Sequence, residues 1–144
     1  MAQTKVKTIL FVCKGNVGRS QFAEALFAKH IPGSFNISSA GMHVTGEDQL
    51  CDIENIANVI DAMKKEEGID ISKKFRKQLT QTMIDAADHV IFLLEDESEI
   101  SEGLWNLHKT SFWRVSDPKG KDLAHHCDTV QQIKKRLFAE QKNF

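Results

Sequence analysis

Apolar residues in this chain fall into two kinds of run. Thr8-Ile9-Leu10-Phe11-Val12 and His89-Val90-Ile91-Phe92-Leu93-Leu94 are short and unbroken, as expected of strands covered on both faces. The first strand is placed at Lys7 to Val12. Phe35 to Ser39, closed by Ala40-Gly41, and Ser111 to Val115, followed by Ser116-Asp117-Pro118, read as two further strands. The other runs have helical spacing. One spans Gly18 to His30, with Phe22, Ala25 and Leu26 on one side and Pro32-Gly33 as its stop. A second spans Asp52 to Glu67, where Ile53, Ile56, Ala57, Ile60 and Met63 make a core-facing stripe and Gly68 ends the helix. A shorter helix is placed at Thr80 to Ala87. The last runs from Leu123 to Glu140, burying Val130, Ile133, Leu137 and Phe138 while Lys134, Lys135 and Arg136 face water. This order predicts an α/β fold: an open four-stranded parallel sheet with helices on both faces. Ligands of such sheets bind beyond the carboxyl ends of the strands.

Size and charge narrow the picture. The chain has 144 residues, 41% apolar and 27% charged, which suits one domain over 1–144 with a real core. A net charge of −1 gives no reason to expect nucleic acid or an anionic membrane as partner. No run approaches the roughly 18 apolar residues of a spanning helix, and residues 1–7 lack an apolar leader segment. Three cysteines, Cys13, Cys51 and Cys127, are odd in number and far apart, which points to reduced thiols in a cytoplasm rather than a disulfide framework. His125, His126 and Cys127 are neighbours on a helix and point in different directions, so no metal is assigned to them.

The chemistry concentrates in Cys13-Lys14-Gly15-Asn16-Val17-Gly18-Arg19-Ser20, between the first strand and the first helix. Backbone N–H groups of such a loop and the positive end of the helix dipole converge on one point, where an oxyanion is stabilised and a thiolate is favoured. Cys13 is the candidate nucleophile. Arg19 can grip two anionic oxygens with its planar fork. The amides from Lys14 through Arg19 supply the cradle, so Lys14, Gly15, Asn16, Val17, Gly18 and Ser20 are candidate substrate-binding residues. Ser20 can donate to the sulfur, Asn16 can brace the loop, and Gly15 and Gly18 let the backbone curl around the anion. Asp117 follows the fourth strand and should share the same sheet edge. It is the candidate acid for a leaving alcohol, with a plain turn-forming Asp before Pro as the alternative.

The loop with Ala23-Glu24, then Ser39-Ala40-Gly41, then Gly68-Ile69-Asp70-Ile71-Ser72 with Gln78-Leu79-Thr80, and finally Asp117-Pro118, resembles the low-molecular-weight protein tyrosine phosphatase family in order and over nearly the whole chain. The resemblance implies a two-step cysteinyl-phosphate mechanism without a cofactor. Cys13 would be nucleophile, Arg19 phosphate clamp, Asn16 and Ser20 supporting groups, and Asp117 general acid and then base. The substrate would be a phosphorylated protein, phosphotyrosine among the candidates, or a small phosphate monoester.

The same superfamily holds arsenate reductases, and several segments are similar to those. Gln21 stands where the phosphatases usually carry proline, and Phe112-Trp113 precedes Asp117. The two relay cysteines of thioredoxin-linked members correspond to Leu94 and Ser101, so a reductase built on Cys13 would need an external thiol as reductant. The chain also lacks tyrosine, has Lys119 after Asp117-Pro118, and carries Met42-His43-Val44 where a tryptophan is usual, leaving little stacking surface for an aryl group. The histidine that steadies the loop asparagine is replaced within Lys73-Lys74-Phe75. Three readings therefore stand: phosphatase, arsenate reductase, and a non-catalytic oxyanion-binding module.

Overall fold

A computed structural model describes residues 6–105 and 108–144 of the chain; the reading of the first residues as leaderless extends outside them. Strands β1 (Lys7–Cys13), β2 (Phe35–Gly41), β3 (His89–Leu94) and β4 (Thr110–Arg114) form a four-stranded sheet in the order β2-β1-β3-β4, with every pair parallel. Helices α1 (Arg19–His30), α2 (Ala57–Glu67), α3 (Gln81–Ala86), α4 (Glu102–Trp105) and α5 (Leu123–Glu140) connect and cover it. The chain runs from β1 to β2 on one side and then to β3 on the other. The sheet order therefore reverses at β1, the place where such folds open a crevice.

Two cores explain why the strand runs show no polar alternation. Ile9, Phe11, Ile91, Leu93 and Trp113 point to the face covered by α1, α2 and α5. Leu10, Val12, Val90, Phe92 and Leu94 point to the opposite face, against Ile84, Ala87 and Ile100. Phe11 anchors the first core, its ring centroid 5.9 Å from Phe27 and 6.0 Å from Trp113. Helix ends follow local chemistry. Gly68 takes a left-handed φ of 69° and returns its N–H to the Lys64 carbonyl. The Asp122 carboxylate caps α5 by accepting from the His125 N–H at 3.0 Å.

Three expectations change. The helix placed at Asp52 begins at Ala57, because Leu50–Asp52 forms a separate 3-10 turn after Gln49 pairs with Phe75. Phe138 is 45% exposed rather than buried: the buried stripe of α5 is His126, Val130, Ile133 and Leu137, and residue 138 lies off it. Lys134 does not simply face water; its ammonium lies 3.2 Å from the Glu67 carboxylate. Among the described residues, no helix is long and apolar enough to cross a membrane.

Glu67 ties three helices together. Its carboxylate is 4% exposed and bonds the His30 ring of α1 and Lys134 of α5, while its carbonyl accepts from Lys29 at 2.6 Å. Burial alone raises the pKa of this carboxyl, but the bonds from His30 and Lys134 outweigh it and hold the group below its ordinary 4.5. A depressed carboxyl stabilises the fold fully above the unfolded value and loses that contribution as pH falls through the folded one. Glu67→Gln is expected to cost about 2 kcal/mol at pH 7 and much less near pH 3, measured by urea denaturation at both.

Candidate active site

Cys13 ends β1 in register with Gly41 of β2, and its thiol is buried. From there the chain turns through Lys14–Gly18 into α1, whose residues Arg19 to Phe27 are all buried. Four carbonyls at the start of this turn are each held by a donor. Cys13 O accepts from Met42 N at 3.0 Å, and Lys14 O accepts from His43 N at 2.8 Å. Gly15 O accepts from Arg76 Nε at 3.2 Å, and Asn16 O accepts from Gln21 Nε2 at 3.3 Å. A trans peptide carries its C=O and N–H on opposite sides. Holding these carbonyls therefore turns the N–H groups of Lys14, Gly15, Asn16 and Val17 the other way. None of those N–H groups has an acceptor among the described residues. The result is a set of aligned donors beside the sulfur, at the N-terminus of a 12-residue helix.

Asn16 makes the turn possible. It takes φ of 53°, a left-handed conformation that Asn tolerates better than most side-chain-bearing residues, and it is fully buried. Its Oδ1 accepts from Lys77 N at 2.9 Å and from Gln21 Nε2 at 3.2 Å. That fixes the amide, so Nδ2 donates to Ser20 Oγ at 2.8 Å and Ser39 Oγ at 3.0 Å. Ser20 Oγ lies 3.0 Å from Cys13 Sγ. The Ser20 oxygen accepts from Asn16, and its own hydrogen can be donated to the sulfur once Cys13 is a thiolate, which has no hydrogen to give.

Arg19 is 5% exposed, not a surface charge. Nη1 donates to Val115 O at 3.0 Å and Nη2 lies 3.6 Å from Asp117 Oδ2. The guanidinium thus links the loop to the segment after β4. Asp117 remains 38% exposed and also makes its turn, accepting from Lys119 N at 3.0 Å. It is fixed from below by Glu95, which accepts from Asp117 N at 2.9 Å. The Lys14 side chain is exposed, and that residue serves the loop through its backbone; Val17 is partly buried against the core.

The structure brings Cys13, the whole Lys14–Ser20 loop and Asp117 together at the carboxyl end of the sheet. Sequence reasoning missed the contributions of Arg76 and Lys77, and it noted Gln21 only as a departure. Gln21 is 1% exposed and also donates to Phe75 O at 3.1 Å. Only the polar residue within a buried helical stretch hinted at this. Burial lowers the pKa of the Lys77 ammonium, whose Nζ donates to the same Phe75 carbonyl at 3.0 Å. Of the other cysteines, Cys51 is exposed in the 3-10 turn; Cys127 is buried on α5, where burial pushes its thiol up.

Comparison with known proteins places this geometry. Residues 8–142 match the low molecular weight phosphotyrosine protein phosphatase family, and the chain belongs to it. Curated relatives include an arsenate reductase of Brevibacillus brevis, 30% identical over 96% of this chain and 93% of that protein. Arsenate reductase 1 of Staphylococcus epidermidis is 35% identical over 89% of this chain and 90% of its own. A low molecular weight protein tyrosine phosphatase from T. tengcongensis shares the fold with a TM-score of 0.81, at 23% identity, over 96% of this chain and 99% of that one.

Gly41 tests the packing under the loop. A Cβ there would stand 2.6 Å from Val44 Cγ2, 2.8 Å from Asn16 N and 2.9 Å from Gly15 C. Gly41→Ala is expected to destabilise the protein by about 1–3 kcal/mol and to weaken phosphate binding at least tenfold, measured by thermal denaturation and phosphate titration.

Proposed function

We propose that this protein is a phosphatase that hydrolyses phosphate monoesters, on a phosphorylated protein or a small molecule, through a cysteinyl-phosphate intermediate. The observation that carries the reading is the shared neighbourhood of Cys13, the donor loop and the Arg19–Asp117 pair. The Cys13 thiolate attacks phosphorus while the loop N–H groups and Arg19 hold the equatorial oxygens. As the S–P bond forms and the P–O ester bond breaks, Asp117 gives its proton to the leaving oxygen. Water then attacks phosphorus, Asp117 takes a proton from it, and the P–S bond breaks to return the thiolate. No cofactor enters these steps, and a cytoplasmic setting suits the reduced thiols.

A second reading has its own support. The curated relatives at 30% and 35% identity are named arsenate reductases. Residues 95–105, the stretch following β3, contain no cysteine. Arsenate bound at Cys13 would therefore need electrons from an external thiol. A phosphotyrosine substrate is supported only by the family name.

A paired assay separates the readings. Hydrolysis of an aryl phosphate at mildly acid pH is expected to vanish in Cys13→Ser and to fall about 10²–10³-fold in Asp117→Asn. Arsenate-dependent oxidation of thioredoxin, glutaredoxin or a small thiol, without appreciable hydrolysis, would replace this reading with the reductase.

A further inference from the structure

Two of the four donors that hold the loop carbonyls are backbone N–H groups, Met42 and His43. The other two are side chains, Gln21 and Arg76. We infer that Gln21 and Arg76 are positioning residues that aim the Val17 and Asn16 N–H groups into the oxyanion site by gripping the carbonyls of Asn16 and Gly15. This rests on the loop binding an oxyanion, and not on which oxyanion is turned over.

The hydrogen bonding of Gln21 supports the assignment. Its Nε2 meets three oxygens, Asn16 O, Asn16 Oδ1 and Phe75 O, at 3.1–3.3 Å. Its Oε1 is buried with no partner among the described residues. A flipped amide would set Oε1 against those three acceptors, so the orientation is forced. A buried glutamine that leaves one oxygen unpaired is retained at a cost, and here its amide nitrogen is the group in use. The Asn16 side chain does not depend on it, because Lys77 N independently holds Oδ1 at 2.9 Å. What Gln21 alone supplies is the grip on the Asn16 carbonyl, and hence the direction of the Val17 N–H.

Arg76 acts one peptide earlier. Its Nη2 lies 3.7 Å from the point where Gly15 would carry a Cβ, so the guanidinium lies along the loop while Nε takes the Gly15 carbonyl. No carboxylate pairs with Arg76 among the described residues. Its main chain is held separately, N donating to Asp48 O at 2.9 Å, so truncating the side chain leaves the segment attached.

The test uses inorganic phosphate to protect Cys13 from iodoacetamide in the full-length protein at fixed pH, which reads oxyanion affinity without requiring turnover. Gln21→Leu and Arg76→Met are each expected to raise the protecting phosphate concentration about tenfold, as for one misaimed donor to an anion. Arg76→Lys, which keeps a cation and a donor, should recover part of the loss. Glu67→Gln, remote from the loop, should lower stability and leave protection unchanged. Folded Gln21→Leu and Arg76→Met proteins with wild-type protection would overturn the inference. So would an equal loss in Glu67→Gln, since the effect would then be general destabilisation. If Gln21→Leu does not fold, the half-exposed Arg76 pair decides the matter. Failure of aryl phosphate hydrolysis with protection behaving as described would remove the phosphatase reading and leave this one standing.

Discussion

A peptide plane cannot point its carbonyl and its N–H to the same side, and the loop after β1 is built on that restriction. Four successive carbonyls, Cys13 to Asn16, are taken up by Met42, His43, Arg76 and Gln21. Among the described residues, the N–H groups of the following residues are left with no acceptor to compete for them. The site therefore needs no charged side chain to create its first attraction for an anion; Arg19 adds a charge to a field the backbone already provides.

The fold supplies the fixed frame for that arrangement. Strand β1 lies inside the sheet, between β2 and β3, and Gly41 at the end of β2 lies in contact with the loop backbone. From Gly41 the chain continues into Met42 and His43, which makes two of the four carbonyl grips a direct consequence of strand register. The other side is closed by the segment around Phe75, Arg76 and Lys77, which is tied to the loop through Gln21, Gly15 and Asn16. Arg19 reaches across to Val115 and Asp117, so the carboxylate after β4 is tied to the end of the loop that begins at Cys13.

Strand order along the chain, the buried strand runs and the position of the loop were legible because they rest on local patterns: unbroken apolar runs, helical spacing, and a Gly-containing turn between them. Cys13, Arg19 and Asp117 could be placed at one edge because parallel strands put their carboxyl ends together. Phe138 follows Leu137 directly, but it lies off the stripe of His126, Val130, Ile133 and Leu137 that faces the core, and it is left exposed. The start of α2 was misread because the bridge from Gln49 to Phe75 imposes a turn first. Gln21 and Arg76 were opaque for a related reason. Gln21 reaches a carbonyl 54 positions away and Arg76 one 61 positions away, and no local pattern announces such partners. The segment Lys73-Lys74-Phe75 read as the loss of a steadying histidine, whereas the asparagine is steadied by the Lys77 N–H and the Gln21 amide.

The most direct test of the central claim is a titration of the protein with inorganic phosphate, followed through the backbone amide resonances. Convergent donors require the amide protons of Lys14, Gly15, Asn16 and Val17 to move together, downfield and to saturation with one affinity, as hydrogen bonds to an anion form. Phosphate binding that leaves those four amides in place, with shifts confined to surface lysines, would contradict it.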